Sequence, residues 1–456
     1  EFGDVEVEEE IPLDEEKLWP QGFAEWFIVA QTALPGLLYL PGSQAYRFPL
    51  RVALYVMPIV GFALWWFDRG ARRDAKHPSH RWLVLVLLYL VLMIFHPLTD
   101  TLLAGIAQTG LYFAVFCAVF WAPAYVSRPR QLVRLLAILL VCNGVNSVVG
   151  VLQVYDPDRF MPRELSSIVM SSRDILGSAT YVGPNGRLII RPPGLFDTPG
   201  AVCGPGTIAA LLGLIFALES FAWWKRLAAL LLSLAGISAI YLSHVRANFV
   251  VALGMMAVYA LAMGVQNEKK RLAGFAALCV GIVMVGLTGS TIVGGESIRE
   301  RFSTLFEEDP RALYYANRGQ QLETAFGTLA EQYPFGAGLA RWGMMRRYFR
   351  PVETLESNEV WAEVQPNAWM LDGGFFLLGL YSLALIVTAA YEWKILRTVR
   401  DPRDRLWFTA VVAANLGTLA LVFSFVPFGT QVGMQFWFLE GAMHGATIHS
   451  LRQQQQ

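Results

Sequence analysis

The segment LAGFAALCVGIVMVGLTGS, residues 272–290, contains no charged side chain. An α-helix needs about 20 apolar residues to cross a bilayer, so this segment predicts a transmembrane helix. Eleven further segments are similar, although the first carries Glu25 and Pro35 and the last carries Glu440. The twelve predicted spans are 23–40, 49–67, 82–98, 101–125, 132–153, 200–222, 227–243, 247–266, 272–290, 367–391, 406–428 and 430–448.

The composition supports a membrane protein. Charged residues occupy 16% of the 456 positions, whereas soluble domains average about 25%. Hydrophobic residues make up 55%, which leaves too little charge to cover the surfaces of two or three soluble domains. The same numbers exclude a disordered chain and a disulfide-stabilised secreted protein. We therefore predict an all-α fold, a polytopic membrane helix bundle of about 12 transmembrane helices.

Net charge and cysteine content exclude two further classes. The 36 basic and 36 acidic residues balance, so nucleic-acid binding has no electrostatic support. Cys117, Cys142, Cys203 and Cys279 lie in apolar segments and form no CxxC pair. We expect four small buried side chains, no metal site and no disulfide framework.

Basic residues predict the orientation of the chain. They are concentrated in every even-numbered gap between spans, which the positive-inside rule assigns to the cytoplasm. Both termini are then cytoplasmic, with an acidic tail at 1–22, a transmembrane domain at 23–448 and a C-terminal tail at 449–456. The basic residues of the even gaps are Arg69, Arg72, Arg73, Lys76, Arg81, Arg128, Arg130, Arg134, Lys225, Arg226, Lys269, Lys270, Arg271, Lys394, Arg397, Arg400, Arg403 and Arg405.

Two long loops fall on the predicted external side, at about 154–199 and 291–366. Loops of this length are commonly functional. The second loop, between spans 9 and 10, has apolar residues at helical spacing from Leu313 to Tyr333. This pattern predicts an amphipathic helix at about 312–333, lying on the outer membrane face or capping the bundle.

The predicted external side has many arginines and no lysine. Arginine binds phosphate or carboxylate through a planar fork and keeps its charge, so this asymmetry indicates an anionic ligand. A general preference for arginine, 30 against 6 lysines in the chain, would produce the same asymmetry. Arg246 is the most informative because it lies between two apolar spans, where an unpaired cation is costly. The arginines of the two long loops are Arg159, Arg163, Arg173, Arg187, Arg191, Arg299, Arg301, Arg311, Arg318, Arg341, Arg346, Arg347 and Arg350.

Four segments resemble, in their order, the bacterial O-antigen ligase and polysaccharide polymerase superfamily. RPPGLFDTPG (191–200) resembles the family's Arg-x-x-Gly-x-Phe motif, and YLSHVRANFV (241–250) its Ser-x-Ser-Arg-Gly-like segment at the mouth of a span. NRGQQLETAFGTLAEQYPFGAGLARWG (317–343) resembles its arginine-containing helix followed by Pro-Phe-Gly-x-Gly. PNAWMLDGGFFLLGLY (366–381) is similar to the segment that opens the next span. The resemblance covers about 190–385.

The resemblance implies a membrane glycosyltransferase that uses a polyprenyl diphosphate-linked glycan donor, a glycan or lipid acceptor, and neither metal nor cofactor. It implies the bacterial inner (plasma) membrane, with an external active site. By motif position Arg246 and Arg318 correspond to the family's functional arginines. The ligases usually carry a histidine just before Asn367, where this chain has Gln365 and Pro366. This departure favours a polymerase over an O-antigen ligase.

The predicted chemistry needs cations for the leaving diphosphate and a base for the acceptor hydroxyl. Arg246 and Arg318 are the candidate cations, with Arg191 third. Candidates for the base are Glu323, Glu363, Asp372 and His244. Direct displacement would invert the anomeric centre. We assign substrate binding to Arg191, Arg341, Gln365 and Asn367.

Each assignment has a structural alternative. Asp372 can form a hydrogen bond between helices, Arg318 a salt bridge across its loop, and Glu440 with His444 a contact within the bundle or a proton path. An anion transporter is the alternative function, although such proteins usually have broken helices and midplane charges that the sequence does not reveal. A structural role in a polysaccharide assembly complex is a third possibility.

Overall fold

The computed structural model describes most of the chain. Arg69, Arg72, Arg73, Arg163, Arg173, Arg350 and the acidic tail up to residue 19 lie outside the described residues. The described residues are 20–40, 42–68, 76–162, 165, 177, 179–219, 222–349 and 362–453.

Apart from one small hairpin, regular structure in these described ranges is helical, as the composition predicts. Each of the twelve predicted spans overlaps at least one helix. The helices before the hairpin are α1 (Phe23–Gly36), α2 (Arg47–Phe67), α3 (His80–Met93), α4 (Leu102–Phe116), α5 (Ala118–Tyr125), α6 (Pro129–Tyr155) and α7 (Pro157–Phe160). Those after it are α8 (Cys203–Glu219), α9 (Trp223–Leu242), α10 (Arg246–Val265), α11 (Lys269–Gly294), α12 (Ser297–Glu307), α13 (Pro310–Tyr314), α14 (Gln320–Thr324), α15 (Ala330–Gln332), α16 (Gly343–Phe349), α17 (Gln365–Thr398), α18 (Pro402–Leu421) and α19 (Gln431–Gln453).

Seven helices of the described chain are long and apolar enough to cross a membrane. They are α2, α4 continued by α5, α6, α9, α10, α11 and α17, and α3 and α8 are shorter apolar helices. Several of them expose their apolar side chains. In α11, for example, Val280 is 65% exposed and Ile292 is 75% exposed. An apolar surface of this extent suits a lipid environment better than water.

The two long loops contain ordered structure. The first holds an antiparallel hairpin of β1 (Thr180–Val182) and β2 (Leu188–Ile190), in which Tyr181 pairs with Ile189. The second begins with α12, which the sequence did not predict. Where the sequence predicts an amphipathic helix at 312–333, helical residues run from 310 to 332 and include two π-helical turns.

Glycines allow α8 and α9 to pack in close contact. A Cβ atom on Gly206 would lie 2.7 Å from the Gly236 carbonyl oxygen, and one on Gly236 would lie 2.6 Å from that of Gly206. Small residues at such crossings let helix backbones approach each other closely. The contact fixes the chain segment before α8 relative to the turn after α9, and both segments carry candidate site residues.

Helix α17 is broken at Gly373 and Gly374. Gly374 has φ 60° and ψ −153°, a conformation essentially restricted to glycine. The break leaves backbone groups free to bond with the turn after α15. The Leu371 carbonyl accepts from the Ala337 amide at 2.7 Å, and the Phe375 amide donates to Pro334 at 3.0 Å. The PFGAG turn is therefore bonded directly into the break.

We expect Gly374→Ala to lower the free energy of unfolding by about 1–3 kcal/mol from backbone strain, because alanine does not adopt this conformation without strain. A Cβ atom would also overlap the Pro334 carbonyl oxygen. Thermal unfolding of the purified protein in detergent measures the effect. Gly379→Ala is the matched control in the same helix, since a Cβ atom there meets nothing within 4 Å. Equal melting temperatures for the two variants would contradict the role of the break.

Candidate anion site

Three arginines and one histidine lie close together on the loop before α8, on the turn and helix start after α9, and on α12. Arg191 follows β2, His244 lies in the turn between α9 and α10, and Arg246 is the first residue of α10. Arg301 lies on α12, whose Ile298 and Phe302 are buried against the core. We call these four residues the arginine cluster.

The loop that carries Arg191 is rigidly held. The Arg191 amide donates to Ala179 at 2.8 Å, and its carbonyl accepts from Gly200 at 3.2 Å. The side-chain amide of Gln153 makes two bonds to the Gly194 backbone, at 2.8 and 2.9 Å.

A second set of contacts, from α2 and α6, holds the same loop. The Asp197 carboxylate is buried and forms ion pairs with two arginines at the start of α2, Arg47 at 3.2 Å and Arg51 in a shorter contact. The Asn146 side chain also accepts from the Leu195 amide at 3.0 Å. Because α2 and α6 both anchor the loop, Arg191 projects from a fixed backbone.

His244 has an unusual backbone and environment. Its φ is 57°, a left-handed conformation that histidine adopts more readily than most side chains. Its ring packs on Tyr181 with centroids 3.9 Å apart, and only 4% of the residue is exposed. Burial lowers the pKa of His244 to about 3, and the charges of Arg191 and Arg301 contribute. The imidazole is therefore neutral at physiological pH, and its Nε2 atom has no hydrogen-bond partner among the described residues.

Within the described chain, the three guanidinium groups lack carboxylate partners. Arg246 donates to the Thr304 hydroxyl at 2.6 Å, whereas the buried Nε atoms of Arg191 and Arg301 have no hydrogen-bond partner there. Burial lowers the pKa of Arg301, repulsion from Arg246 and Arg191 lowers it further, and Glu308 acts in the opposite direction. Cations held together at such a cost favour an anion that would compensate them.

Arg318 lies in a different environment. It forms an ion pair with Glu363 and donates to the Ser424 carbonyl at 3.3 Å. Gln321 also donates to Glu363, at 3.0 Å. Among the described residues no hydrogen bond or ion pair joins Arg318 to Arg246. The salt bridge named as the structural alternative for Arg318 is thus present, and Glu363 is its partner. The remaining candidate in this helix, Glu323, accepts from the Tyr315 hydroxyl.

Asp372 forms hydrogen bonds between helices. It is fully buried and accepts from Gln108 at 3.0 Å and from the Tyr112 hydroxyl at 2.7 Å, both on α4. No described contact joins it to the arginine cluster. Arg341 donates to the Ala337 carbonyl at 3.0 Å, and its guanidinium group approaches Asp100 at 4.0 Å.

Gln365 and Asn367 are buried at the start of α17, with 0% and 2% exposure. The Gln365 side chain accepts from the Phe428 amide at 2.8 Å, so it ties α17 to the turn before α19. The structure thus brings together Arg191, His244, Arg246 and Arg301. Among the described residues, no hydrogen bond or ion pair joins this group to the other candidates, which are Arg318, Asp372, Arg341, Gln365 and Asn367.

Sequence reasoning named Arg301 only as one of many external arginines and did not consider Tyr181. A signal for Arg301 was present in the apolar spacing of Ile298, Phe302 and Leu305, which predicts a short amphipathic helix beside the mouth of the spans. No comparable signal marks Tyr181, because its contact with His244 depends on the hairpin. Comparison with protein-family models and with curated proteins finds no match to this sequence.

We expect the Arg318–Glu363 pair to contribute to stability through its charges alone. Both side chains are about one-third exposed, at 36% and 33%, so a double-mutant cycle on unfolding should give a coupling of about 1 kcal/mol or less. The exchanged variant Arg318→Glu with Glu363→Arg should retain most of that coupling and fold normally. If the glycan transfer that the resemblance implies is observed in the wild type and lost in the exchanged variant, with stability intact, Arg318 would instead be restored as a functional residue.

Proposed function

We propose that the protein is a glycosyltransferase of the bacterial inner membrane that crosses the bilayer about 12 times. It takes a polyprenyl diphosphate-linked glycan and transfers it at the external face. The best supported activity is polymerisation of polysaccharide repeat units, as for O-antigen or exopolysaccharide. The arginine cluster carries this proposal, because three cations without carboxylate partners among the described residues suit a diphosphate.

The diphosphate would lie against Arg191, Arg246 and Arg301, and the polyprenyl tail would lie among the exposed apolar helix faces. The acceptor hydroxyl attacks the anomeric carbon, a new carbon–oxygen bond forms, and the bond to the diphosphate oxygen breaks. Negative charge grows on the leaving diphosphate, where fixed guanidinium groups stabilise it most effectively. Attack opposite the leaving group inverts the anomeric centre.

His244 is the proposed acceptor of the hydroxyl proton. Its Nε2 atom has no partner among the described residues, and the neutral ring can accept a proton. In the free protein, Arg191 and Arg301 oppose protonation. A bound diphosphate offsets those charges, so His244 becomes a stronger base only when the donor is in place. Arg318 and Asp372 have no step in this scheme, because Glu363 engages the first and Gln108 and Tyr112 engage the second.

The chain lacks the histidine that the resembled ligases carry before Asn367, and this departure supports the polymerase. Ligase and polymerase differ only in the molecule that supplies the hydroxyl. A transfer assay with purified lipid-linked repeat units, run with and without a lipid A core acceptor, separates them. A ladder of products without the core acceptor supports polymerisation, and a single product that requires it supports ligation.

One observation favours an anion transporter as the second candidate. Helix α17 is broken at Gly373 and Gly374. Broken helices are typical of transporter sites, where the N-terminus of a half-helix can face an anionic group. Uptake of pyrophosphate or another anion by reconstituted protein, with no glycan donor present, would reverse the ranking.

We expect Arg191→Ala, Arg246→Ala and Arg301→Ala each to lower kcat/KM for glycan transfer by about 10²–10³ while membrane expression persists. The corresponding lysine variants should also lose activity, since lysine cannot form the bidentate contact. Arg299→Ala is the matched control for Arg301→Ala. Arg299 also lies on α12, but its side chain is 73% exposed and pairs with Glu296. Normal activity in all three alanine variants would exclude the arginine cluster as the site.

We expect His244→Asn to lower kcat by about 10²–10⁴, the usual contribution of a general base. Asparagine tolerates the positive φ at this position, so the fold should persist. Binding of inorganic pyrophosphate, measured by isothermal titration calorimetry, should remain because the arginines are unchanged. His96→Asn, in the turn between α3 and α4, serves as the control. A parallel loss of pyrophosphate binding in His244→Asn would show a structural role instead.

A further inference from the structure

A second group of ionisable residues is buried on the C-terminal helices α17 and α19. Glu392 on α17 and Glu440 on α19 are 1% and 0% exposed. The side-chain amide of Asn415, on α18, donates to both carboxylates, at 3.0 Å to Glu392 and in a shorter contact to Glu440. One amide nitrogen therefore holds two acidic groups from different helices close together.

His77 faces this pair from the segment before α3. Its Nε2 atom lies 3.4 Å from the second carboxylate oxygen of Glu440, and neither atom has a hydrogen-bond partner in the described chain. The opposite ring nitrogen, Nδ1, accepts from the Ser79 amide at 3.3 Å and contacts the Ser79 hydroxyl at 2.6 Å. Acceptance at Nδ1 assigns the ring hydrogen to Nε2, the nitrogen that lies 3.4 Å from Glu440.

Among the described residues, no lysine or arginine forms an ion pair with either carboxylate. Burial lowers the pKa of His77 to about 3, so its ring is neutral. The other titratable groups around the pair have partners of their own. His444 bonds to the Tyr391 hydroxyl, and His80 bonds to the Val119 carbonyl at 3.1 Å. Glu440 and His444 share a helix face as the sequence predicts, yet their hydrogen-bond partners lie on other helices.

We propose that Glu392 and Glu440 form a proton-binding site, in which one proton is shared between the two carboxyl groups. Two like charges in one dry site cannot both persist without a counter-ion, and a pair of this kind titrates as a unit. The remaining negative charge is met by the Asn415 amide, and the ring of His77 lies beside it with Nε2 3.4 Å from Glu440. This site does not depend on the arginine cluster or on glycan transfer.

The shared proton joins four parts of the fold. The pair brings together α17, α18, α19 and the segment at 77–79, which packs on α19 through the ring contact of His77 with His444, 5.3 Å between centroids. Loss of the proton would leave two charges on α17 and α19 that repel each other. Occupancy of the site therefore stabilises the contact of the last helix with the half of α17 after its break.

Infrared spectroscopy of the reconstituted full-length protein tests the site directly. The carbonyl stretch of a protonated carboxyl group lies at higher frequency than the amide bands of the protein, and it shifts in D₂O. We expect the wild type to show this band and Glu392→Gln and Glu440→Gln each to lose the same component. Glutamine copies the shape of the protonated partner, so the remaining carboxylate stays ionised. The double variant should lose no more than either single variant.

Glu25→Gln is the matched control, since Glu25 is a largely buried carboxylate that pairs with Arg134 at 3.1 Å and should contribute nothing to the band. Asp372→Asn identifies any component from the buried Asp372. Retention of the full band in both single glutamine variants would overturn the proposal. So would a spectrum that changes when sodium replaces a bulky organic cation, since a metal ion would then occupy the site.

Discussion

A charge buried in an apolar helix bundle is stable only when an opposite charge or a proton compensates it. The arginine cluster, the Glu392–Glu440 pair and the partly exposed Arg318–Glu363 ion pair follow from that constraint. Arg318 meets Glu363 and is satisfied within the chain. Within the described ranges, the arginine cluster has no carboxylate partner, and Glu392 with Glu440 has no lysine or arginine. The first arrangement favours an anionic ligand, and the second favours a proton.

The helix packing determines where these charges can remain uncompensated. Glycines bring α8 and α9 together, so that the loop at 191–200 and the turn at His244 share one end of the pair. Helix α12 then places Arg301 beside them through its buried Ile298 and Phe302. This packing keeps the guanidinium groups near one another despite their repulsion. The bond from Gln153 to the loop and the ion pair of the loop residue Asp197 with Arg47 act in the same way. The site is thus formed before any ligand binds.

The sequence was sufficient for the helical fold, because an uncharged apolar segment of nearly 20 residues has the length of a membrane-crossing helix. It also singled out Arg191, His244 and Arg246, which the structure places close together, and their part in binding an anion stays a prediction. It failed where partners are distant in the chain. The pairing of Arg318 with Glu363 spans 45 positions, and the partners of Glu440 are Asn415 and His77 rather than its helical neighbour His444. The break in α17 likewise depends on the Pro334 carbonyl, which no local pattern predicts.

Rigidity distinguishes the two candidate functions. A transporter must expose its anion site to each side in turn, so the residues that bind the anion have to move with a helix that rearranges. In this protein the broken helix is α17, whereas the arginine cluster belongs to α10, α12 and a loop fastened to α2 and α6. Fixed cations that cannot follow the substrate are a disadvantage for transport. They are an advantage for catalysis, since preorganised charge stabilises a leaving diphosphate without any rearrangement.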